Sequence, residues 1–388
     1  MPTSSPSSGK FSSPLFTRPA APGTLTPLEE QVVLQLYAQG RLPEAERAAR
    51  AITERLPQHP FGWKALGAII KAQKRALEAL PIQQQAAKLS PQDPEAFNNL
   101  GGTLEELGHT AHAETCYRHA LDVKADFLPA LDNLFELLNR QKRWDDLTPI
   151  AERRLQHRPD DGHLQHLVAM LTGKQTDSAP KAYVQGLFND YAHEFDHHLQ
   201  HTLKYHVPQD LAALVQQHAS QAGGWRVLDL GCGTGLVGEA LASRSSELIG
   251  VDLADKMLEK ARSRQIYQEL VQDEVVHYMT QAANERFDVI TSADVFIYVG
   301  RLDEVMAEAR RLLPAGGLLA FSIETCAPEN DTEGRGYRLL SSGRYAHTLD
   351  YVQRLGQAHG FTPLAAVDTV LRTENEQPLA GQLVVWQR

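Results

Sequence analysis

The chain has 388 residues, of which 42% are hydrophobic and 22% charged, with a formal net charge of -10. That length accommodates two domains with a core each. No apolar run is long enough to span a bilayer, and the acidic balance argues against a broad nucleic-acid surface, which needs clustered Lys and Arg. Three widely spaced cysteines, Cys116, Cys232 and Cys326, form neither a disulfide framework nor a zinc pattern and suit a reducing compartment. Residues 1–25 are rich in Ser and Pro and lack the apolar stretch of a secretory signal. They read as a disordered tail on a cytoplasmic protein.

From residue 26 a fixed period governs the sequence. Trp63-x-x-Leu66-Gly67 recurs 34 residues later as Phe97-x-x-Leu100-Gly101, and again as Leu131-x-x-Leu134-Phe135. Ala45, Ala79 and Ala113 keep the same phase, with Leu147 in the fourth slot, and prolines fall at 57, 91 and 159. Large residues three and four apart put one apolar stripe on each helix, and small residues let paired helices approach. Gly108 suits the turn between two helices because it takes positive φ without steric cost. The unit PEAFNNLGGTLEELGHTAHAETCYRHALDV resembles a tetratricopeptide repeat. Four such repeats between about 26 and 160, with GHLQHLVAMLTG as a capping helix, give a repeat domain over 26–175. The resemblance implies a concave surface for a protein or peptide, with Lys64, Lys71, Asn98, Glu105, Asp132, Glu136 and Arg140 facing inward. Their mixed signs name no ligand and also fit a solvated face.

After Ala179-Pro180 short apolar runs (WRVLDL, ELIGVDL, FDVITSA, GGLLAFSI) alternate with helical stretches. This predicts a doubly wound α/β domain over 180–388, with a parallel sheet covered on both faces. The last two runs, TPLAAVDTVLR and GQLVVWQR, read as strands antiparallel to each other. Ligands of such sheets bind at the carboxyl ends of the strands, where the strand order reverses.

The segment VLDLGCGTGLVG contains two overlapping glycine patterns there. Gly233-Thr-Gly235-Leu-Val-Gly238 spells a dinucleotide fingerprint, which would make a nicotinamide dehydrogenase. Asp229, however, stands beside the loop, where its charge repels a pyrophosphate and attracts an ammonium group. S-adenosylmethionine carries an amino-acid end and a sulfonium but no phosphate. Gly238 is then assigned to packing of the helix on the sheet. Asp252, at the end of the next strand, suits two ribose hydroxyls through charge-assisted hydrogen bonds.

VLDLGCGTG, GVDLADKMLEKAR, FDVITSADVFIYVG and RLLPAGGLLAFSIE together resemble class I S-adenosylmethionine-dependent methyltransferases. LFNDYAHEFDHHLQHTLKYHVP and SSGRYAHTLDYV are similar to segments of a bacterial group in which tetratricopeptide repeats precede that Rossmann-like domain. The resemblance implies that Gly231, Cys232 and Gly233 line the cofactor loop, and that Asp252, Leu253 and Met257 hold the adenosine. Tyr191 and Phe195 would cap the methionine end. The acidic partner of the adenine amine lies between Asp273 and Glu274, because the family's usual Gly-Asp is replaced here. Asp294 and Tyr298 are implied acceptor-side residues. His347 and Tyr345 are acid or base candidates, or else packing groups that shape the substrate region, and Arg344 binds either a substrate carboxylate or a neighbouring acid. His193, His197 and His201 fall four apart, as metal ligands on a helix do. Without a completing carboxylate or cysteine, the expectation is no metal.

The expected function is methyl transfer to a protein or peptide recruited by the repeats. The alternatives are a small-molecule acceptor with the repeats used for assembly, and a cofactor-binding scaffold without turnover.

Overall fold

The computed structural model describes residues 23–192, 205–374 and 377–388. Two compact units divide the chain, Met1–Arg154 and Leu155–Arg388.

The first unit is built from helical hairpins. Their helices are α1 (Pro27–Ala38), α2 (Leu42–Arg55), α3 (Pro60–Ala72), α4 (Ala76–Leu89), α5 (Pro94–Glu106), α6 (Thr110–Val123), α7 (Leu128–Arg140) and α8 (Trp144–His157). The second helices begin at 42, 76, 110 and 144, which is the 34-residue period seen in the sequence. Proline in the first turn of α1, α3 and α5 presets helical φ where no N–H partner is required. Within each hairpin the sizes of facing residues are matched. A Cβ at Gly67 would stand 2.5 Å from Gln83 Cγ, and one at Gly101 would stand 2.6 Å from Tyr117 Cε1. At the corresponding positions of the last hairpin the sizes are exchanged, with Phe135 on the first helix and the fully buried Ala151 on the second.

The second unit begins with α9 (Gly162–Thr172), α10 (Lys181–Tyr191) and α11 (Val207–His218). Sequence analysis gave α9 to the repeats, but it counts with the second unit, where it packs on α10. Its buried His166 lies with Nε2 3.0 Å from the Gly343 carbonyl. The alternation then runs β1 (Trp225–Leu230), α12 (Leu236–Leu241), β2 (Ser245–Asp252), α13 (Asp255–Ser263), β3 (Glu269–Gln272), α14 (Val275–Gln281), β4 (Val289–Ser292), α15 (Asp303–Leu312) and β5 (Leu318–Glu324). It closes with a small β6 (Tyr337–Leu339) and β7 (Tyr345–His347) pair, α16 (Leu349–Ala358), β8 (Thr362–Glu374) and β9 (Gln377–Gln387).

The seven-stranded sheet has the order β3-β2-β1-β4-β5-β9-β8. Strands β1 to β5 are parallel, and β9 is antiparallel to both β5 and β8. Because successive strand residues point to opposite faces, the strands feed two cores. Leu228, Ile290 and Phe321 join residues of α14, α15 and α16 in one core. Val227, Val289 and Ala320 join α11 and α12 in the other. This is a doubly wound, Rossmann-like arrangement, with its reversal between β1 and β4. Among the described residues, no helix is long and apolar enough to cross a membrane.

Candidate functional site

The reversal of strand order opens a cavity of about 1280 Å³ at the carboxyl ends of β1, β2 and β4. The loop after β1 forms one wall. Gly231, Gly233 and Gly235 all have positive φ (61°, 54° and 92°), a region costly for other residues. A Cβ on Gly231 would collide with Val295, so this glycine allows the β1 and β4 loops to touch. At Gly233 a Cβ would meet no atom within 4 Å, which leaves open space over a bare stretch of backbone.

Asp252 closes this wall. Its Oδ2 accepts from the Gly233 N–H at 2.9 Å and its Oδ1 from the Ala254 N–H at 2.8 Å. Burial pushes the carboxyl up, and the N–H groups of Ala254, Gly233 and Leu253 oppose that shift. A carboxylate accepts about four hydrogen bonds, so acceptor capacity remains for a ligand. Asp229, also on the cavity wall, is 1% exposed. It accepts from the Tyr267 hydroxyl at 2.6 Å and the Thr291 hydroxyl at 3.0 Å. Burial raises its titration to about 6, against those two hydroxyls. Asp229, Asp252 and the Tyr267 phenol give this loop an acidic border, and Arg264 lies on it as well. That guanidinium is turned to the Thr234 carbonyl and to Glu239. Such a wall suits a cationic ligand with ribose-like hydroxyls and not a pyrophosphate.

In the adjoining β4 loop, Asp294 follows the strand with φ at 56°, the left-handed region. Its Oδ1 accepts from the Ser322 hydroxyl at 3.1 Å and its Oδ2 from Arg372 Nη1 at 2.7 Å. Arg372 also reaches Glu324 at 3.5 Å, and Arg344 Nε donates to Glu324 at 3.2 Å. Asp294, Arg372, Glu324 and Arg344 therefore alternate in sign and sum to zero. Asp294, Arg344 and Arg372 line the cavity, together with Tyr191, Tyr205 and Tyr298. Phe188 meets the Tyr298 ring edge-on at 5.5 Å. Burial pushes the Asp294 carboxyl up, countered first by Arg372.

The cavity collects Tyr191, Asp229, Gly231, Cys232, Gly233, Asp252, Leu253, Glu274, Asp294 and Tyr298 of the sequence-based set. Four others do not line it. His347 is fully buried, and its Nε2–H is shared between the carbonyls of Val299 and Gly300, both at 3.0 Å. Its Nδ1 has no hydrogen-bond partner among the described residues, and burial lowers the ring's titration to about 4. It props the loop that carries Tyr298 through those two carbonyls and does not line the cavity, so of the two roles the sequence left open its burial favours packing over acid–base chemistry. Tyr345 is likewise fully buried, with its hydroxyl 2.5 Å from that of Thr176. Met257 packs inward from α13 against Ala192 and Ala254. Asp273 turns to His277 Nδ1 at 2.6 Å. Glu274 reaches the cavity, but it also caps α14, accepting from the N–H groups of Val276 and His277. Phe195, His193, His197 and His201 lie outside the described residues. Among the described residues no His, Cys, Asp and Glu cluster fit for a metal is found.

The sequence reading missed Tyr205, Tyr267 and Arg372. Arg372 sits in β8, 78 residues after its partner Asp294, and no local pattern announces such a pair.

A second, smaller cavity of about 580 Å³ lies within the first unit, lined by Lys71, Asn98, Asn99, Gly102, Glu105, Asn133 and Arg140 among others. Asn133 donates to Asn98 across two hairpins at 2.9 Å. Glu105 accepts from Tyr117 and from Arg140. Lys71 is half-buried and has no hydrogen-bond or ion-pair partner among the described residues; burial lowers its titration. Lys64 pairs with Asp93 and Glu95, and Asp132 and Glu136 pair with Arg154.

In comparisons with known proteins, residues 228–321 match the family model described as "Methyltransferase domain". The chain is similar to the ubiquinone biosynthesis O-methyltransferase of Actinobacillus pleuropneumoniae, 31% identical over 115 residues, or 28% of this chain and 49% of that protein. The protein of the same name from Coxiella burnetii is 33% identical over 102 residues, covering 26% and 43%. A solved 1,6-didemethyltoxoflavin-N1-methyltransferase from Burkholderia thailandensis aligns with 55% of this chain and 92% of its own at 18% identity, with a TM-score of 0.41. The chain spans about half the length of the curated relatives it matches. The matched stretch, 228–321, runs from β1 into β5 and carries both glycine-loop and β4 walls of the cavity: in sequence it is similar to methyltransferase domains.

Proposed function

We propose that the second unit is an S-adenosylmethionine-dependent methyltransferase. The observation that carries this is the join of the bare Gly231–Gly233 cradle with the Asp252 carboxylate, at the reversal point of a doubly wound sheet. Asp252 with Leu253 would hold the adenosine, and Asp229 and Tyr191 would face the amino-acid end. The bound sulfonium supplies an electrophilic methyl group. The chain's own task is then to place an acceptor in line, and such placement supplies roughly 7–11 kcal/mol of a barrier. Asp294 and Tyr298, which line the same cavity beside the glycine loop, are the groups we assign to the acceptor. Arg372 holds Asp294 in place, so Asp294 acts by orienting the acceptor or receiving its proton.

Two acceptor classes follow from different observations. The relatives named for ubiquinone biosynthesis favour a small molecule, and the aromatic lining formed by Tyr191, Tyr205 and Tyr298 fits one. The groove of the first unit, where Lys71 has no hydrogen-bond or ion-pair partner among the described residues but lies in the field of Glu105 and Glu106, favours a protein or peptide. The full chain, incubated with labelled S-adenosylmethionine and a cell extract split into small-molecule and protein fractions, separates them by where the label appears. Asp252→Ala is the control and transfers none. Label in neither fraction, with cofactor bound, leaves a scaffold without turnover.

A further inference from the structure

Two glycines of the dinucleotide-like pattern, Gly235 and Gly238, border one side chain together with Gly250 of β2. A Cβ at Gly235 would lie 3.0 Å from Tyr267 Cε2, and one at Gly250 would lie 2.9 Å from Tyr267 Cε1. At Gly238 it would strike the Tyr267 hydroxyl and stand 2.5 Å from Cζ. Residues from the loop after β1, from α12 and from β2 thus leave a slot for a ring from the connection between α13 and β3. The slot ends at Asp229, which receives the hydroxyl at 2.6 Å. Gly235 and Gly250 make room for the ring carbons, and Gly238 makes room for the hydroxyl itself, which a phenylalanine would not need.

We propose that Tyr267 is a positioning residue for the methyl donor: its hydroxyl orients the Asp229 carboxylate toward the cavity and sustains its charge there. This rests on the cofactor reading above. The groups facing Asp229 are Tyr267, the Thr291 hydroxyl from β4, Asp252 from β2, Cys232 in the loop, Tyr205 ahead of α11, and the Gly238 N–H from α12. Of these, Tyr267, Thr291 and Gly238 favour the ionised carboxylate, whereas burial and Asp252 oppose it. An ammonium-bearing ligand binds best while Asp229 is charged. Affinity is therefore full above the range near 6 where Asp229 titrates and declines below it. Losing the Tyr267 hydroxyl moves that decline to higher pH.

The test is calorimetric titration of the full chain with S-adenosylhomocysteine between about pH 5.5 and 8.5 (one pKa unit corresponds to about tenfold). Tyr267→Phe, for a shift of one unit, is expected to weaken binding about threefold near pH 6.5 and close to tenfold at pH 5.5, and to recover nearly all of it by pH 8.5. In an Asp229→Asn background the same substitution changes nothing further. Thr291→Val, which removes the other hydroxyl, shifts the profile in the same direction and serves if the first variant does not fold. A loss of equal size at every pH, or an unshifted profile, overturns the proposal and leaves the cofactor reading standing. Absence of binding by the unsubstituted chain at any pH overturns both.

Discussion

His347 shows how burial decides the role of a titratable group. Its Nε2–H serves two carbonyls and its Nδ1 is sealed from water, so the cationic ring is disfavoured inside the fold. Its titration is lowered from 6.5 to about 4, so the unfolded chain takes the proton more readily than the folded one. The stabilisation is present above pH 6.5 and is lost as the pH falls toward 4, by up to about 1.4 kcal/mol per pH unit. His347→Gln should therefore flatten the dependence of the urea midpoint on pH across that window, read against the unsubstituted chain. A midpoint difference that stays constant from pH 7 to 4 would show that the ring is not held neutral. Arg372 presents the opposite case, a charge that is buried because it is paired. With Asp294 and Glu324 both within its reach, Arg372→Leu leaves the buried Asp294 carboxylate without its guanidinium and Glu324 with Arg344 alone. Breaking such a pair costs about 3–5 kcal/mol. The loss should shrink at pH 5, where the carboxylates can take up protons, and thermal melts at the two pH values check this.

Among the elements, the turns inside the hairpins carry a readable irregularity. Positions 40, 74, 108 and 142 share the period and all have positive φ, between 55° and 81°. Glycine fills the first and third, and lysine the second and fourth. At 142 the N–H groups of Lys142 and Arg143 bond back to Asn139 and Leu138, so the backbone, not the side chain, dictates the conformation. A non-glycine residue in this region costs about 1–2 kcal/mol, partly offset by the greater freedom glycine has when unfolded. Lys142→Gly is expected to raise stability by a few tenths to about 1 kcal/mol, seen as a higher urea midpoint of the repeat unit. No gain would mean that the lysine stem contributes packing equal to the strain. The 34-residue period itself was legible because Leu-Gly pairs, alanines and prolines recur in phase. The exchange of sizes between Gly101 with Tyr117 and Phe135 with Ala151 became visible only once the helices were paired.

For the whole molecule, the two units offer two cavities of different chemistry. One is aromatic and acidic at a sheet's reversal point, and the other is a polar groove that holds the half-buried Lys71 ammonium among Glu105, Glu106 and Arg140. If the groove recruits an acidic partner, Lys71→Glu abolishes methyl label in the protein fraction while S-adenosylhomocysteine affinity stays within about twofold (a surface substitution away from the site changes little). Unchanged protein labelling would assign the groove to assembly. Equal loss of cofactor affinity would mean that the substitution acts through folding.

The amino-acid sequence by itself determined the elements and the glycine-loop wall of the cavity, because both depend on short-range rules. Apolar periodicity sets helix against strand, and glycine after an apolar run permits the turn that Gly231 to Gly235 make. Asp252 was legible for the same reason, standing at the end of its own strand. What the tertiary structure decided was which side chains meet across long separations. Tyr267 reaches Asp229 across 38 residues and Arg372 reaches Asp294 across 78. His347, plausible as an acid or base from its residue type, is removed from the cavity by burial that its neighbours in sequence do not reveal. The overlapping glycine pattern joins the two levels. Its spacing is local, but the reason for Gly238 is a tyrosine hydroxyl delivered from a different βα connection.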